Sequence, residues 1–567
     1  MHRPTTEARP SIYYDYKVHK PWLPSAHATQ ERKKVVIAGS GPAGMVAALE
    51  LARHGVPSVI VTSELQVSQG SRAIVFTRRS MEILQQVETA DRMTENGLPW
   101  RFGNSYYRGQ RVFRMEAPHD ADDRFFPMLN IQQQYMEEYL LDACAANPLI
   151  DLRWGNKVIG VEQEEDFARI EIDTPHGAYT LETEWLVAAD GGRSPIRTAL
   201  NLQMEGASYE GFFVIADIKI DLPLPTERLA YFDPDWNPGN TILMHREPHG
   251  IWRVDYQLPA GETPEQALQP ESLKARIDAQ LAMIGHAGAR WEMDWCSMYS
   301  ARTLTLPDYV HGRVLFTGDA AHLLPIFGVR GANTAFQDAQ SLGWHLAFVA
   351  KGLATEKLLG NYSAERVGAA REIIEEAGKS TRFMAPPSRG FRLLRDAVLS
   401  LSMSEEFVRP LYHWRTSRPH EYTDSVLNSA GDDDALFRSG PAHGAPPQNI
   451  RLGRRLPARP PGRWFRADLF HRSSGDSRVA AGRRRRGARA GCSAARDCCR
   501  RRGPSRWRRR EPGRRGRTFP PPLRRAGQRR RVSAPARPTC LRTLADARCH
   551  APAGRPQHRL APVRRAS

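Results

Sequence analysis

The apolar run Val35-Val36-Ile37-Ala38 reads as a short buried parallel strand. Residues 43–54 follow with Met45, Leu49 and Ala52 at helical spacing, and a second apolar run over 58–62 predicts the next strand. A helix is predicted over 132–144. Another apolar run, Trp185 to Ala189, ends on an Asp-Gly turn. The period then changes: residues 212–220, 241–246 and 251–258 read as strands. Alternation is clearest in the last of these, with Trp252, Val254, Tyr256 and Leu258 on one face and Arg253, Asp255 and Gln257 on the other. Val314-Leu315-Phe316 returns to the buried-strand pattern and leads through a glycine-rich loop into a helix from Asn333. Residues 386–430 read as further helix, with Phe391, Leu394, Arg395, Val398 and Leu399 at its spacing. The order implies an α/β chain with an inserted, mostly antiparallel sheet and a C-terminal helical segment.

The turns between these elements carry the chemistry. Gly39-Ser40-Gly41-Pro42-Ala43-Gly44 is a G-x-G-x-x-G fingerprint with a strand before it and a helix after it. Gly39 permits the tight turn, Gly41 lets the backbone approach a pyrophosphate, and Gly44 lets helix and strand pack closely. Pro42 suits the first helical turn, and the helix start, from Ala43, favours a phosphate anion. A ribose-binding acid is expected at the end of the second strand. That position falls near Thr62, and the nearest acid, Glu64, is two residues late. Asp190-Gly191 sits at the carboxyl end of its strand, where open α/β sheets bind ligands, with Arg193 and Arg197 able to meet phosphates. Far downstream, Gly318-Asp319 and the loop Gly328 to Asn333 bring one carboxylate and a helix start, a set suited to a polyol and a polar ring. Together the turns suggest a flavin spanning a Rossmann-like FAD-binding domain.

Charge divides the chain. The formal net charge of +19 suggests nucleic acid, but residues 1–450 hold 45 Lys and Arg against 57 Asp and Glu, giving −12. Residues 451–567 hold 36 Arg, no Lys and 5 acids. Runs such as Arg483-Arg484-Arg485-Arg486, set among Pro, Gly, Ala and Ser, cannot bury a core. Arginine without lysine resembles a GC-rich frame read out of register more than a nucleic-acid-binding arm. Only Cys144 and Cys296 precede the tail, so no disulfide framework is expected, and no metal template appears. Residues 1–34 show no apolar signal region, and no run reaches the ~20 apolar residues of a membrane span. A cytoplasmic protein is expected. The layout read from the sequence is an N-terminal extension (1–33), a FAD-binding part (34–204), a substrate-binding sheet layer (205–300), a second FAD-binding part (301–385), a helical segment (386–431), a linker (432–450) and the arginine-rich tail (451–567).

These motifs resemble the flavoprotein aromatic hydroxylases, the single-component family that includes 4-hydroxybenzoate hydroxylase, and within it the 3-(3-hydroxyphenyl)propionate hydroxylase-like branch. Residues 39–44, Asp190-Gly191 with Arg193, and Gly318-Asp319 with Ala320-Ala321-His322 carry the resemblance. Ser71-Arg72-Ala73, Asn333-Thr334 with Gln337-Asp338-Ala339, and Tyr362 with Glu365-Arg366 add to it, over roughly residues 33–450. The resemblance implies a monooxygenase that uses NAD(P)H and O2 to hydroxylate a small phenolic substrate through a flavin C4a-hydroperoxide, with a homodimer as one possibility. It implies that Arg72 and Gln133 approach FAD, that Asp319 accepts ribitol hydroxyls, and that Gly331, Ala332 and Asn333 set amides near the flavin pyrimidine. Asp190 and Gly191 resemble a motif used for both flavin and nicotinamide. Relatives often have a second proline where Ile326 follows Pro325. His345 falls at a surface position on this reading, and His322 reads as structural. Pocket candidates are Tyr209, His245, Arg246 and Tyr256. A single dinucleotide fingerprint favours a monooxygenase over disulfide-reductase types. The alternatives are a related FAD oxidoreductase, such as an epoxidase, or nucleic-acid binding through the tail.

Overall fold

The computed structural model describes residues 1–24, 32–70, 72–259, 261–325, 327–412, 419–428 and 444–446. The expected linker and the arginine-rich tail therefore lie outside the described residues, but for 444–446. The first sheet is eight-stranded and built on a parallel centre. Lys33–Ala38 lies between Ser58–Val61 and Gly177–Ala188, with Val36 opposite Val59 and Leu186. Val314–Phe316 extends it beside 186–188 and Ile150–Arg153 beside 58–61. Both faces of the centre are covered, so Val35, Val36, Ile37, Leu186, Val187 and Leu315 are all fully buried. This is why these strands are continuously apolar rather than alternating. The helix Pro42–Arg53 packs against Gln133–Ala145 and Gly331–Ala350. A Cβ at Gly343 would lie 2.4 Å from that of Glu50, so glycine sets the helix–helix approach there.

The second eight-stranded sheet is mostly antiparallel. Glu292–Thr305, Glu205–Lys219, Ile251–Gln257, Thr241–Arg246 and Arg228–Phe232 lie side by side in that order. The hairpin Phe102–Tyr107 and Gln110–Glu116 extends one edge, joined through a parallel pairing of 102–107 with 228–232, and the short strand His322–Leu323 beside 304–305 completes the other. This sheet is thus wider than residues 205–300, because a hairpin from the first third of the chain adds to its edge. One face of it packs on the helix Pro270–Met283 through Trp252, Val254, Tyr256, Leu273, Ile277 and Leu281.

The expected helix over 386–430 is corrected. It runs only over Arg389–Leu401, then gives way to a 3-10 stretch at Glu406–Tyr412 containing Pro410, and residues 419–428 form turns. Pro410 has no N–H to donate and disfavours helix at the residue before it. Among the described residues, no helix is long and apolar enough to cross a membrane.

Candidate functional site

The glycine turn after Lys33–Ala38 shows three glycines with three different reasons. Gly39 has φ +110°, its amide donates to Val61 O at 2.8 Å, and a Cβ there would meet Ala189 O at 2.3 Å. At Gly44 a Cβ would meet Gly39 O at 2.1 Å. Gly41 is different: a Cβ there would meet nothing within 4 Å. Gly41 precedes Pro42–Arg53, whose first turn receives no side-chain cap. Its early amides, Ala43 and Gly44, are therefore left without a side-chain acceptor, with the positive end of the helix dipole behind them.

Two further turns close on this one. Gly318, at φ +61°, would place a Cβ 2.9 Å from that of Ala43. Asp319 beside it is exposed, yet so surrounded by protein that burial raises its carboxyl pKa while the charges of His322 and Arg72 pull it down. That combination describes a carboxylate at the bottom of a cleft. Asp190 accepts from the Ile196 amide at 3.2 Å through one oxygen, and its other oxygen, Oδ1, is buried without a protein partner. Burial raises its pKa also. Gly191, at φ +82°, opens onto space, and Arg193 is exposed. Arg197, expected to meet phosphate, instead clamps the two turns together by donating to Ala320 O at 3.0 Å and Gly192 O at 2.6 Å.

The loop before Gly331–Ala350 is strained: Val329, a β-branched residue, has φ +58°. Gly331 again opens onto space, and the amides of Gly331 and Ala332 begin a helix with no side-chain cap. Asn333 does not offer its side chain. Its Oδ1 accepts from Thr77 N at 2.9 Å and Ser80 Oγ at 2.6 Å, and its Nδ2 donates to Val75 O and Val329 O. Gln133 Oε1 accepts from the Ala73 amide at 2.9 Å, so this side chain holds the chain beside Arg72. Glu64 is half exposed and pairs with Arg9 at 2.6 Å, whereas Thr62, buried, bonds Ser40 Oγ at 2.9 Å at the glycine turn.

Behind these turns lies a buried charge network. His322 Nε2 meets Asp338 Oδ2 at 2.6 Å, Arg366 Nε donates to Asp338 Oδ1 at 2.6 Å, and the Gly318 amide lies 3.3 Å from Asp338. His322 is therefore a structural group. Burial alone would raise the Asp338 pKa, and the Arg366 and His322 partners more than offset it. Its stabilisation is present above the ordinary aspartate pKa and lost as pH falls through the depressed one. Asp338→Asn is expected to destabilise the fold by ~3–5 kcal/mol at neutral pH, measured by urea unfolding, because it strands a fully buried guanidinium. His345 is corrected from surface to core. It is fully buried, bonded to Ser341 O at 2.8 Å and Asn361 Nδ2 at 3.1 Å, because its helix is covered on two sides, and burial pulls its pKa down to about 4.

The antiparallel sheet turns its other face toward these turns. Cross-strand register puts Ser297, Ile215, Asp255 and Leu243 in one row and Trp295, Asp217, Arg253 and His245 in the next. One end of the face is covered by Phe327 of the strained loop, which packs edge-on against Phe213 at 5.3 Å, and Phe213 stacks on Tyr299 at 5.4 Å. The other end meets the loop carrying Arg72, since Arg253 Nη1 lies 3.4 Å from Arg72 O and Gly70 sits on the Trp295 ring. Asp255 lies between the covered ends. It remains half-buried while Ile215, Leu243, His245 and Arg253 around it are buried, and its Oδ1 and the Tyr299 hydroxyl have no protein partner. Burial, opposed by Arg253, pushes the Asp255 carboxyl up to about 7. Burial, then Arg228 and Arg253, holds His245 well below the imidazole range. Asp217 and Arg253 form a two-point ion pair at 2.8 Å.

Two pocket candidates are corrected. Tyr256 faces the helix-covered side, 5.7 Å from Trp236, and Arg246 pairs with Trp252 on that side and donates to Leu224 O. Both follow from the strand period of two, which separates them from Asp255 and His245. The side chain of Tyr209 lies outside the described residues. Asp255 was placed on the right face by alternation but not singled out. Tyr299 gave no local signal, since its role depends on a register known only from the fold.

Comparison with known proteins agrees with this geometry. Residues 32–377 match the family model described as FAD binding domain. A 3-(3-hydroxy-phenyl)propionate/3-hydroxycinnamic acid hydroxylase of Burkholderia cenocepacia (strain HI2424) is 28% identical over 415 residues, covering 72% of this chain and 74% of its own. One of Escherichia coli (strain SMS-3-5 / SECEC) is 28% identical over 374 residues, 65% of this chain and 66% of its own. Among solved structures, a flavin-dependent monooxygenase in complex with FAD and substrate gives a TM-score of 0.62 at 23% identity, over 74% of this chain and 81% of that one. The p-nitrophenol 4-monooxygenase of Pseudomonas putida DLL-E4 gives 0.58 at 22% identity, over 68% and 99%.

Proposed function

This chain belongs to the FAD-binding-domain family of flavoprotein aromatic hydroxylases, and from that premise we propose that it inserts oxygen into a small phenolic ring using NAD(P)H and O2. The cofactor would lie along the three turns. Gly41 leaves room for a pyrophosphate against the Ala43 and Gly44 amides, Asp319 is a free acceptor for polyol hydroxyls, and Gly331 and Ala332 offer amides to the polar ring. Arg72 and Arg193 stand at the cleft as cations, and the buried, unpartnered Asp190 Oδ1 is a further acceptor. FAD bound there would supply electron transfer from NAD(P)H and activation of dioxygen.

The protein's own part is binding, drying and proton handling. The sheet face lies over the cleft, and Phe213, Phe327 and Tyr299 close one end against water. Asp255 is the observation that carries the substrate reading. A half-buried carboxylate amid buried neighbours, with one oxygen unpartnered and a pKa near neutrality, suits a ligand that donates a hydrogen bond. A phenol does so, and a proton passing from its oxygen to Asp255 leaves the ring electron-rich. The unpartnered Tyr299 hydroxyl is a second contact for that oxygen.

The test is to follow NADH and NADPH oxidation by the purified flavin-loaded protein with and without phenolic acids, and to weigh the product. Stimulated oxidation with a product heavier by one oxygen is expected. No stimulation by any phenol, beside brisk turnover of alcohols or amines, would reject the reading.

A further inference from the structure

We propose that residues 7–19 form a strap that sets the loop 63–72 in place, and that Arg9 and Tyr16 are positioning residues for the cofactor. The inference rests on reading the Arg72 loop as a wall of the cofactor cleft. The strap precedes residue 32, where the family match begins, so nothing in that match assigns it a role.

At its described residues, 63–70 and 72, the loop is neither helix nor strand, so its backbone groups need partners from elsewhere. The strap and the residues flanking it supply them along most of its length. His19 N donates to Leu65 O at 2.7 Å, and Arg9 Nη1 donates to Val67 O. Arg9 N donates to Gln66 Oε1 at 3.0 Å, and Gln66 Nε2 donates back to Glu7 O at 2.9 Å. Arg9 Nη2 reaches Glu64 at 2.6 Å. Before the strap, His2 Nε2 lies 2.6 Å from Ser63 O. Tyr16 makes the key bridge: its hydroxyl donates to Ser68 O at 3.3 Å and accepts from Gly70 N at 3.0 Å.

Gly70 is therefore held from two sides. Tyr16 stands on one side, and on the other lies the Trp295 ring, so near that a Cβ on Gly70 would fall 2.3 Å from it. Two residues further on, Arg72 is held through its backbone carbonyl, at 3.4 Å from Arg253 Nη1, while its side chain is exposed and its charge reaches Asp319. The strap is also tied to the opposite wall. Ser11 Oγ and Ile12 N both donate to Asp294 Oδ1 at 2.7 Å, on the strand that carries Tyr299. One segment thus fixes the loop that carries Arg72 relative to the sheet that carries Asp255. A shift in it moves a cation at the floor of the cleft.

The experiment uses full-length wild type, Tyr16→Phe and Arg9→Ala. Tyr16→Phe keeps the ring, which packs edge-on against Tyr14 at 4.7 Å, and removes only the bridging oxygen. Hydrogen exchange of the 63–73 segment, FAD affinity by flavin fluorescence, and the ratio of product formed to NAD(P)H consumed are measured together. Exchange roughly five- to tenfold faster in this segment, with FAD held several-fold more weakly and a lower product ratio, is expected at an unchanged melting temperature. Unchanged exchange in both variants would overturn the strap. Faster exchange with wild-type FAD affinity and product ratio would overturn its positioning role. A wild-type protein that takes up no FAD would sink the reading of the cleft itself, and the positioning role with it.

Discussion

Asp255→Asn is expected to lower kcat/KM for a phenolic substrate by ~10²–10⁴-fold while leaving FAD content and substrate-free NAD(P)H oxidation near wild type. The amide keeps the volume and one acceptor oxygen but cannot take a proton. Wild-type kcat/KM should rise with pH through about 7 as Asp255 ionises, and this limb should vanish in the variant. Stability should move the opposite way. Asp255 is raised from 3.8 to about 7, so across that window the folded chain binds the proton more tightly than the unfolded chain. Folding is therefore weakened as pH rises through it, and the penalty is complete above pH 7. Asp255→Asn should remove that penalty and stabilise the empty protein by on the order of 2 kcal/mol at pH 8, solvent screening at the half-buried carboxylate removing the rest. Urea unfolding at pH 5 and pH 8 checks the sign. A variant that loses stability at pH 8 as well as activity would make Asp255 a structural group.

What the sequence showed of this site and what it hid have a common cause. Turn chemistry is local: Gly39 sits at φ +110°, a backbone conformation that favours glycine whatever packs on it, so the fingerprint at 39–44 could be read from the sequence alone. The carboxylates of the Asp-Gly and Gly-Asp turns are equally local. Asp255 is not. Alternation placed Arg253, Asp255 and Gln257 together, but a polar strand face turned toward the protein interior has the same pattern as one facing solvent. The Phe327 loop and the Arg72 loop, arriving from elsewhere in the chain, cover the two ends of that face. His345 failed the same way, since a polar residue reads as surface until a second helix covers it. Asn333 shows a third case: the sequence marked it for its helix-start amide, and its side chain proved fully used in tying that helix start to Val75 and Thr77. The strap over 7–19 has no period at all and is held by hydrogen bonds to the Arg72 loop and to Asp294 on the sheet, so nothing in its sequence announced it.

Two glycines of the fingerprint, Gly39 and Gly41, should separate folding from cofactor binding. Gly41→Ala is expected to leave the FAD-free protein as stable as wild type, or slightly more so, while weakening FAD by ~100-fold, about 2.7 kcal/mol. Gly41 has φ −69° and ψ 176°, a conformation open to any residue, and an added methyl meets no protein atom within 4 Å. Replacing glycine where the backbone tolerates it stiffens the unfolded chain by ~0.4–1 kcal/mol. The methyl would instead occupy the space in front of the Ala43 and Gly44 amides, where the pyrophosphate must approach most closely. Gly39→Ala should fail earlier, because its methyl would stand 2.3 Å from the Ala189 carbonyl oxygen at a φ that side chains rarely adopt. That variant should lose ~2 kcal/mol or more of stability before any ligand is added. Thermal melts of the two FAD-free variants, set beside flavin fluorescence titrations, read both quantities. If Gly41→Ala bound FAD like wild type, the cofactor would not lie across this turn. If it melted early like Gly39→Ala, the space beside Gly41 would be filled by protein rather than left for a ligand.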